Sequence, residues 1–215
     1  MDHSIFRVLQ EARDPKKAVE MAAYMKNLFP FLGIAKPQRA ALTKEFIKAK
    51  KEEDGVDWAF VFDCYRKEER EYQYLAIDYL LNVKSRLMPN DLDSIEALIV
   101  TKSWWDTVDA IDNLPAEIYR NYPEVEKRIL RWANSESIWL RRTAIDFQLQ
   151  YKDRTNKELL AAIIEANLGS SEFFVNKAIG WALREYSKTN RDWVAEFVSS
   201  HPLSKLSVRE AGKYL

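Results

Sequence analysis

Ala76-Ile77-Asp78-Tyr79, Ala110-Ile111-Asp112-Asn113, Ala144-Ile145-Asp146-Phe147 and Ala178-Ile179-Gly180-Trp181 are four copies of one pattern, with alanines 34, 34 and 34 residues apart. A weaker fifth copy, Ala211-Gly212-Lys213-Tyr214, follows 33 residues on. Around these copies apolar residues recur at helical spacing, as in Val19, Ala22, Ala23, Met25 and Phe29, or Leu159, Leu160, Ile163 and Ile164. Breaks fall at Pro30, Pro37, Pro89, Pro115, Pro123 and Pro202, because proline lacks the amide donor that a helix interior needs. Asn134, Gly169 and Ser170 mark further helix ends. A period in the thirties without strand patterning predicts stacked helix pairs. The recurring alanine implies that neighbouring helices approach closely there, and the isoleucine after it fills the shared core.

The expected fold class is all-α, an α-solenoid of HEAT-like or armadillo-like helical repeats with about five or six helix pairs. It is expected to span residues 1–215 as a single repeat domain. The Trp and Leu-Gly signature of tetratricopeptide repeats is missing. Composition agrees: 47% hydrophobic and 31% charged residues exclude a disordered chain, and 5 Gly with 7 Pro disfavour a turn-rich Rossmann or all-β protein. Charge interrupts every apolar stretch, so no membrane span is expected. The opening MDHSIFRVLQEARD has no apolar h-region and does not read as a signal peptide. With Cys64 as the one cysteine, no internal disulfide can form, and the expected location is the cytoplasm.

The inventory also limits the chemistry. The two histidines, His3 and His201, lie near opposite ends, which excludes a His-based triad or a His-rich metal site in mid-chain. Cys64 has no nearby His and reads as a small core residue. GxGxxG, GxxxxGK[ST], HExxH and CxxC are all absent. No metal and no cofactor are expected. The 33 basic and 33 acidic residues cancel, but unevenly: residues 1–50 carry 10 basic and 5 acidic, 51–118 carry 7 and 16, and 119–215 carry 16 and 12. The runs KEFIKAKKEED (44–54) and YRKEERE (65–71) mix both signs and read as solvated faces.

The register of the repeat makes helix faces calculable at about 100° per residue. With Ala and Ile facing the core, Trp105, Asp109, Arg142 and Trp181 share one broad arc on the other side, from three successive repeats. Trp139 and Phe173 fall at the angle of Trp105. Trp104 falls with the core, as Trp58 and Trp132 are expected to. Arg141 also points coreward, which calls for an inter-repeat pair with Asp146 or Asp112. Asp106 and Asp112 read as ordinary solvated carboxylates. Equivalent positions on successive repeats line one continuous surface, usually the concave one.

The stretches TKSWWDTVD (101–109), IWLRRTAI (138–145), SEFFVNKAIGWALREYSKTN (171–190) and YMKNLFPFLGI (24–34) resemble the AlkD-type DNA alkylation repair proteins, bacterial DNA glycosylases built from HEAT-like repeats. The resemblance runs along nearly the whole chain. It implies excision of N3- and N7-alkylated purines from duplex DNA, in base-excision repair. It also implies the catalytic aspartate at Asp109, the site tryptophans at Trp105 and Trp181, a backbone-contacting arginine at Arg142 and a site-flanking tyrosine at Tyr24. Phe173 and Phe174 are candidates for contact with the DNA backbone. A monomer acting on double-stranded DNA is expected.

The residue types suit that chemistry. An N3- or N7-alkylated purine already carries positive charge, so it leaves without a general acid and the lack of His is no obstacle. A carboxylate beside the sugar stabilises the oxocarbenium character that develops and can orient water. Aromatic faces attract cationic groups. The alternative from a different class is a non-catalytic solenoid that binds DNA or protein on its concave face.

Overall fold

The computed structural model describes residues 4–215; His3 lies outside them. Among the described residues all regular structure is helical. The class is the all-α solenoid of HEAT-like helical repeats. The repeat continues on both sides of a division of the chain into two compact units, Met1–Leu87 and Met88–Leu215.

The first unit comprises α1 (Ser4–Glu11), α2 (Pro15–Tyr24), α3 (Lys36–Glu52), α4 (Trp58–Arg66) and α5 (Arg70–Val83). Pro15 and Pro37 sit in first turns, where no amide donor is needed. Asp14 caps α2 by accepting from the amides of Lys16 and Lys17, and Asp57 caps α4 by accepting from Phe60. Leu9, Leu32, Ile34, Val61, Leu75, Ala76 and Leu80 form a fully buried core. Cys64 is buried in it, as expected, and burial pushes its thiol well above the ordinary range.

A buried carboxylate orders the segment after α2. Glu71 accepts from the amides of Leu32 (2.8 Å), Gly33 (2.8 Å) and Ile34 (3.0 Å). Gly33 has φ +91°, and a Cβ there would run into the Asp14 carbonyl, so glycine is required on both counts.

The mixed-sign run at 44–54 is more than a solvated face. Lys36, Lys44, Lys48 and Lys51 line a cleft of about 450 Å³ between α3 and α5, above Ala40 and Ile47. Its one acid, Asp78, is paired with Arg39 at 3.2 Å.

The second unit comprises α6 (Leu92–Val100), α7 (Trp105–Ile111), α8 (Asn113–Asn121), α9 (Glu126–Ala133), α10 (Ile138–Asp146), α11 (Lys157–Glu165), α12 (Phe173–Ser187), α13 (Arg191–Ser200) and α14 (Lys205–Ala211). The helices carrying the repeat alanine, α7, α10, α12 and α14, pack in succession, backed by α6, α9, α11 and α13. Ala144, Ala178 and Ala211 have no exposed surface, and neither does Ile111. Ala110 is only half-buried. Gly180 takes the place of the repeat aspartate because α14 comes close: a Cβ there would stand 2.5 Å from Glu210 Cβ and 3.0 Å from the Ser207 carbonyl.

Two tryptophan expectations change. Trp132 is core, with Nε1 donating to Glu96 at 2.6 Å. Trp58 is half-buried, because it opens α4 rather than lying inside it. Trp104 is half-buried too; it precedes α7 with an extended backbone (φ −160°), so a helical angle does not apply to it.

Candidate active site

The site residues of the second unit come from α7, α10 and α12. α7 is short for a local reason. Pro115 cannot donate to the Ile111 carbonyl, and the helix breaks at Asp112 before α8 starts. Trp105 and Asp109 are one turn apart and therefore lie on one side of α7. Both are half-buried, and the Asp109 side chain keeps 25% of its surface exposed.

α10 supplies the partner of Asp109. Arg142 Nε donates to Asp109 Oδ1 at 2.7 Å and Nη2 to Oδ2 at 2.9 Å, a bidentate pair. Nη1 donates to the Phe174 carbonyl at 2.8 Å, so all three helices meet at this guanidinium. Arg142 is 1% exposed. In this structure the Arg142 donors face Asp109 and the Phe174 carbonyl rather than outward. By the wheel Arg142 lies only about 40° beyond the edge of the core arc, and α7 and α12 close over that edge.

Arg141 does not make the expected pair with Asp146 or Asp112. Its Nε is buried without a hydrogen-bond partner. Arg142 faces those acids instead, one turn before Asp146, with Nε 3.7 Å from Asp146 Oδ2. Asp112 is not solvated either. It is 7% exposed and accepts from Asn113 Nδ2 at 2.8 Å. Burial, the Asp146 charge and the Asp109 charge push Asp112 well above the usual carboxylate range. Asp146 is raised to about 7 by burial, against the lowering pull of Arg142 and with a further push from Asp109. Burial acts to discharge Arg142, but Asp146, Asp109 and Asp112 together hold it charged, above its ordinary value. Sequence reasoning missed Asp112 and Asp146 as buried site residues. The available signal was an aspartate recurring at one repeat position, Asp78, Asp112 and Asp146, the first of which also meets an arginine.

Aromatic rings flank the pair. The Trp181 ring lies under Arg142 (5.0 Å), Lys177 (5.6 Å) and Arg184 (5.9 Å). Trp104, Trp139 and Phe174 form a shelf with centroids 4.9–5.7 Å apart, its Phe174 ring 5.9 Å from Arg142. Phe173 extends it edge-on to Phe174 and is 58% exposed. The structure thus brings together Asp109, Arg142, Trp181 and Phe174, with Trp105 one turn from Asp109. Tyr24 belongs to the first unit, where it ends α2 and is 71% exposed.

Chemically the site offers a partly exposed carboxylate of fixed orientation, electron-rich rings and no histidine. No group of three or more His, Cys, Asp or Glu among the described residues could hold a metal ion. No described helix is long and apolar enough to cross a membrane.

Residues 5–215 match the family model of the DNA alkylation repair enzymes. A solved structure of a predicted DNA alkylation repair enzyme from Enterococcus faecalis is 38% identical, covers 94% of this chain and 96% of its own, and has a TM-score of 0.88. The crystal structure of smu.31 from Streptococcus mutans UA159, 20% identical over 82% of this chain and 97% of its own, shares the fold with a TM-score of 0.59. No curated protein gives a significant match. The family match spans the three helices that meet at Arg142, and the chain belongs to the DNA alkylation repair enzyme family.

Proposed function

We propose that the chain is a DNA glycosylase that excises positively charged N3- and N7-alkylated purines from duplex DNA. The observation that carries the reading is the Asp109 carboxylate, aimed by both its oxygens, partly open to solvent and flanked by aromatic rings. Such a carboxylate stabilises the cation that forms on the sugar as the charged base departs, and it orients the attacking water. Trp105 and Trp181 offer π faces to the cationic lesion and sugar. Arg142 acts on Asp109 rather than on DNA. Two exposed side chains, Phe173 in the second unit and Tyr24 in the first, are each open to contact with the DNA backbone.

One observation favours the non-catalytic reading, a repeat protein that only binds DNA or protein: both Asp109 oxygens are occupied by Arg142. Release of free base separates the two. Duplex DNA carrying N7-methylguanine or N3-methyladenine is expected to lose the base, and DNA carrying uracil or hypoxanthine is not, because the carboxyls that can carry a proton, Asp112 and Asp146, are buried away from a neutral leaving group. Asp109→Asn keeps the shape and removes the charge. Its excision rate is expected to fall by about 10²–10³ while DNA binding persists. Full activity in that variant removes Asp109 from the mechanism, and absence of release by the native chain leaves the binding-only reading.

A further inference from the structure

Three carboxylates surround one buried guanidinium. Asp109 takes two of its donors and the Phe174 carbonyl a third. Asp146 has neither: it is 2% exposed, its Oδ1 has no hydrogen-bond partner, and its Oδ2 stands 3.7 Å from Arg142 Nε. A buried carboxyl oxygen without a hydrogen bond is costly, and Asp146 meets the cation only across the 3.7 Å ion-pair distance, too long for a hydrogen bond. It is, however, one turn from Arg142 on the same helix, within reach if Asp109 lets go.

We propose that Asp146 is a positioning residue, a reserve counter-ion that takes over Arg142 when Asp109 turns towards the cationic sugar. The inference rests on the glycosylase reading. In the resting site Arg142 is held by Asp109, and the protonated form of Asp146, populated at and below about pH 7, has no charge to offer it. As the sugar cation draws Asp109 away, the guanidinium would otherwise be stranded in a buried place. Asp146 then gives its proton to solvent and accepts from Arg142 Nε. Charge balances: the sugar cation pairs with Asp109, Arg142 pairs with Asp146, and the released proton goes to water.

The charged groups that act on Asp146 are Arg142 on its own helix and Asp109 on α7, and Asp146 in turn acts on Asp112 just after α7. The Asp146 carboxyl titrates at about 7 in the resting arrangement, so it can change state at neutral pH.

Two measurements test this. The first needs no activity: a carboxyl-carbon NMR titration of Asp146 in the native chain and in Asp109→Asn. With its competitor neutralised, Asp146 should pair with Arg142: its midpoint should drop by at least one pH unit, an about tenfold shift in proton affinity, and the Arg142 Nε–H signal should titrate with it, which loss of the Asp109 repulsion alone would not produce. An unchanged or raised midpoint overturns the proposal. The second is the single-turnover rate of N7-methylguanine release against pH. Native excision should rise by up to about tenfold per pH unit below the Asp146 midpoint and level off above it. In Asp146→Asn that limb should vanish and the plateau fall, with DNA affinity unchanged. A merely structural Asp146 would shift stability and leave the limb in place. If the native chain releases no base, the glycosylase reading fails, and the titration still decides whether Asp146 competes for Arg142.

Discussion

A single arginine decides how the site works. With 1% of its surface exposed and three hydrogen bonds on two neighbouring helices, Arg142 holds its site together before it can act on anything outside. Arg142→Ala should therefore destabilise the fold by about 3–5 kcal/mol, the size of breaking a buried ion pair from one side. The salt dependence of DNA binding should barely change. A denaturant midpoint equal to the native one, together with a flattened salt slope, would return Arg142 to the DNA surface. At this scale Trp105, Asp109 and Trp181 were legible in the sequence, because the 34-residue register fixes their angle on a helix. Arg142, Trp104 and Asp146 were not. An angle says which way a side chain leaves its own helix, not what the next helix lays over it. A residue before a helix, as Trp104 is, has no helical angle at all.

Between elements, α12 and α14 approach closely at Gly180. Gly180 lets Glu210 lie against the helix, where Lys177 (2.8 Å) and Lys213 (2.7 Å) bind its carboxylate and Arg184 stands 3.5 Å away. Hydrogen bonds from Lys177 and Lys213 hold the Glu210 carboxyl down to about 2. A depressed carboxyl contributes stability that is complete above its ordinary range and is lost as pH falls towards about 2. Gly180→Ala should push the helices apart and cost about 1–3 kcal/mol, the range for overpacking. The variant should also lose part of the native chain's extra sensitivity to acid, measured as the unfolding midpoint between about pH 5 and about pH 2. A neutral effect of the alanine would mean that α14 can shift freely. The repeat shows glycine where three copies carry aspartate. It could not say that a glutamate from the following repeat fills the space.

Over the whole chain, zero net charge argues against a polyanion as partner, whereas the family match argues for DNA. The two are reconciled by where the charge goes. Acids in mid-chain are consumed inside the fold, as Glu71 on backbone amides and Asp109 on Arg142, while four lysines of α3 share a cleft whose one acid is already paired. Replacing Lys44 and Lys48 together by Gln should weaken DNA binding and lower the slope of log affinity against log salt by about two, near 0.9 for each phosphate that is no longer neutralised. An unaltered slope would remove this cleft from the DNA surface. Periodicity made the repeat class readable, but side-chain charge alone could not show which charges remain available. The Glu71 clamp carries a last consequence, for descent rather than for chemistry. Its carboxylate recognises three backbone amides of residues 32–34, groups that persist whatever side chains stand at Leu32 and Ile34, while Gly33 is held by its own backbone. No substitution on the far side can compensate a change at Glu71, so the clamp either persists in the lineage or disappears from it but cannot drift, and it leaves no trace of paired variation between two positions.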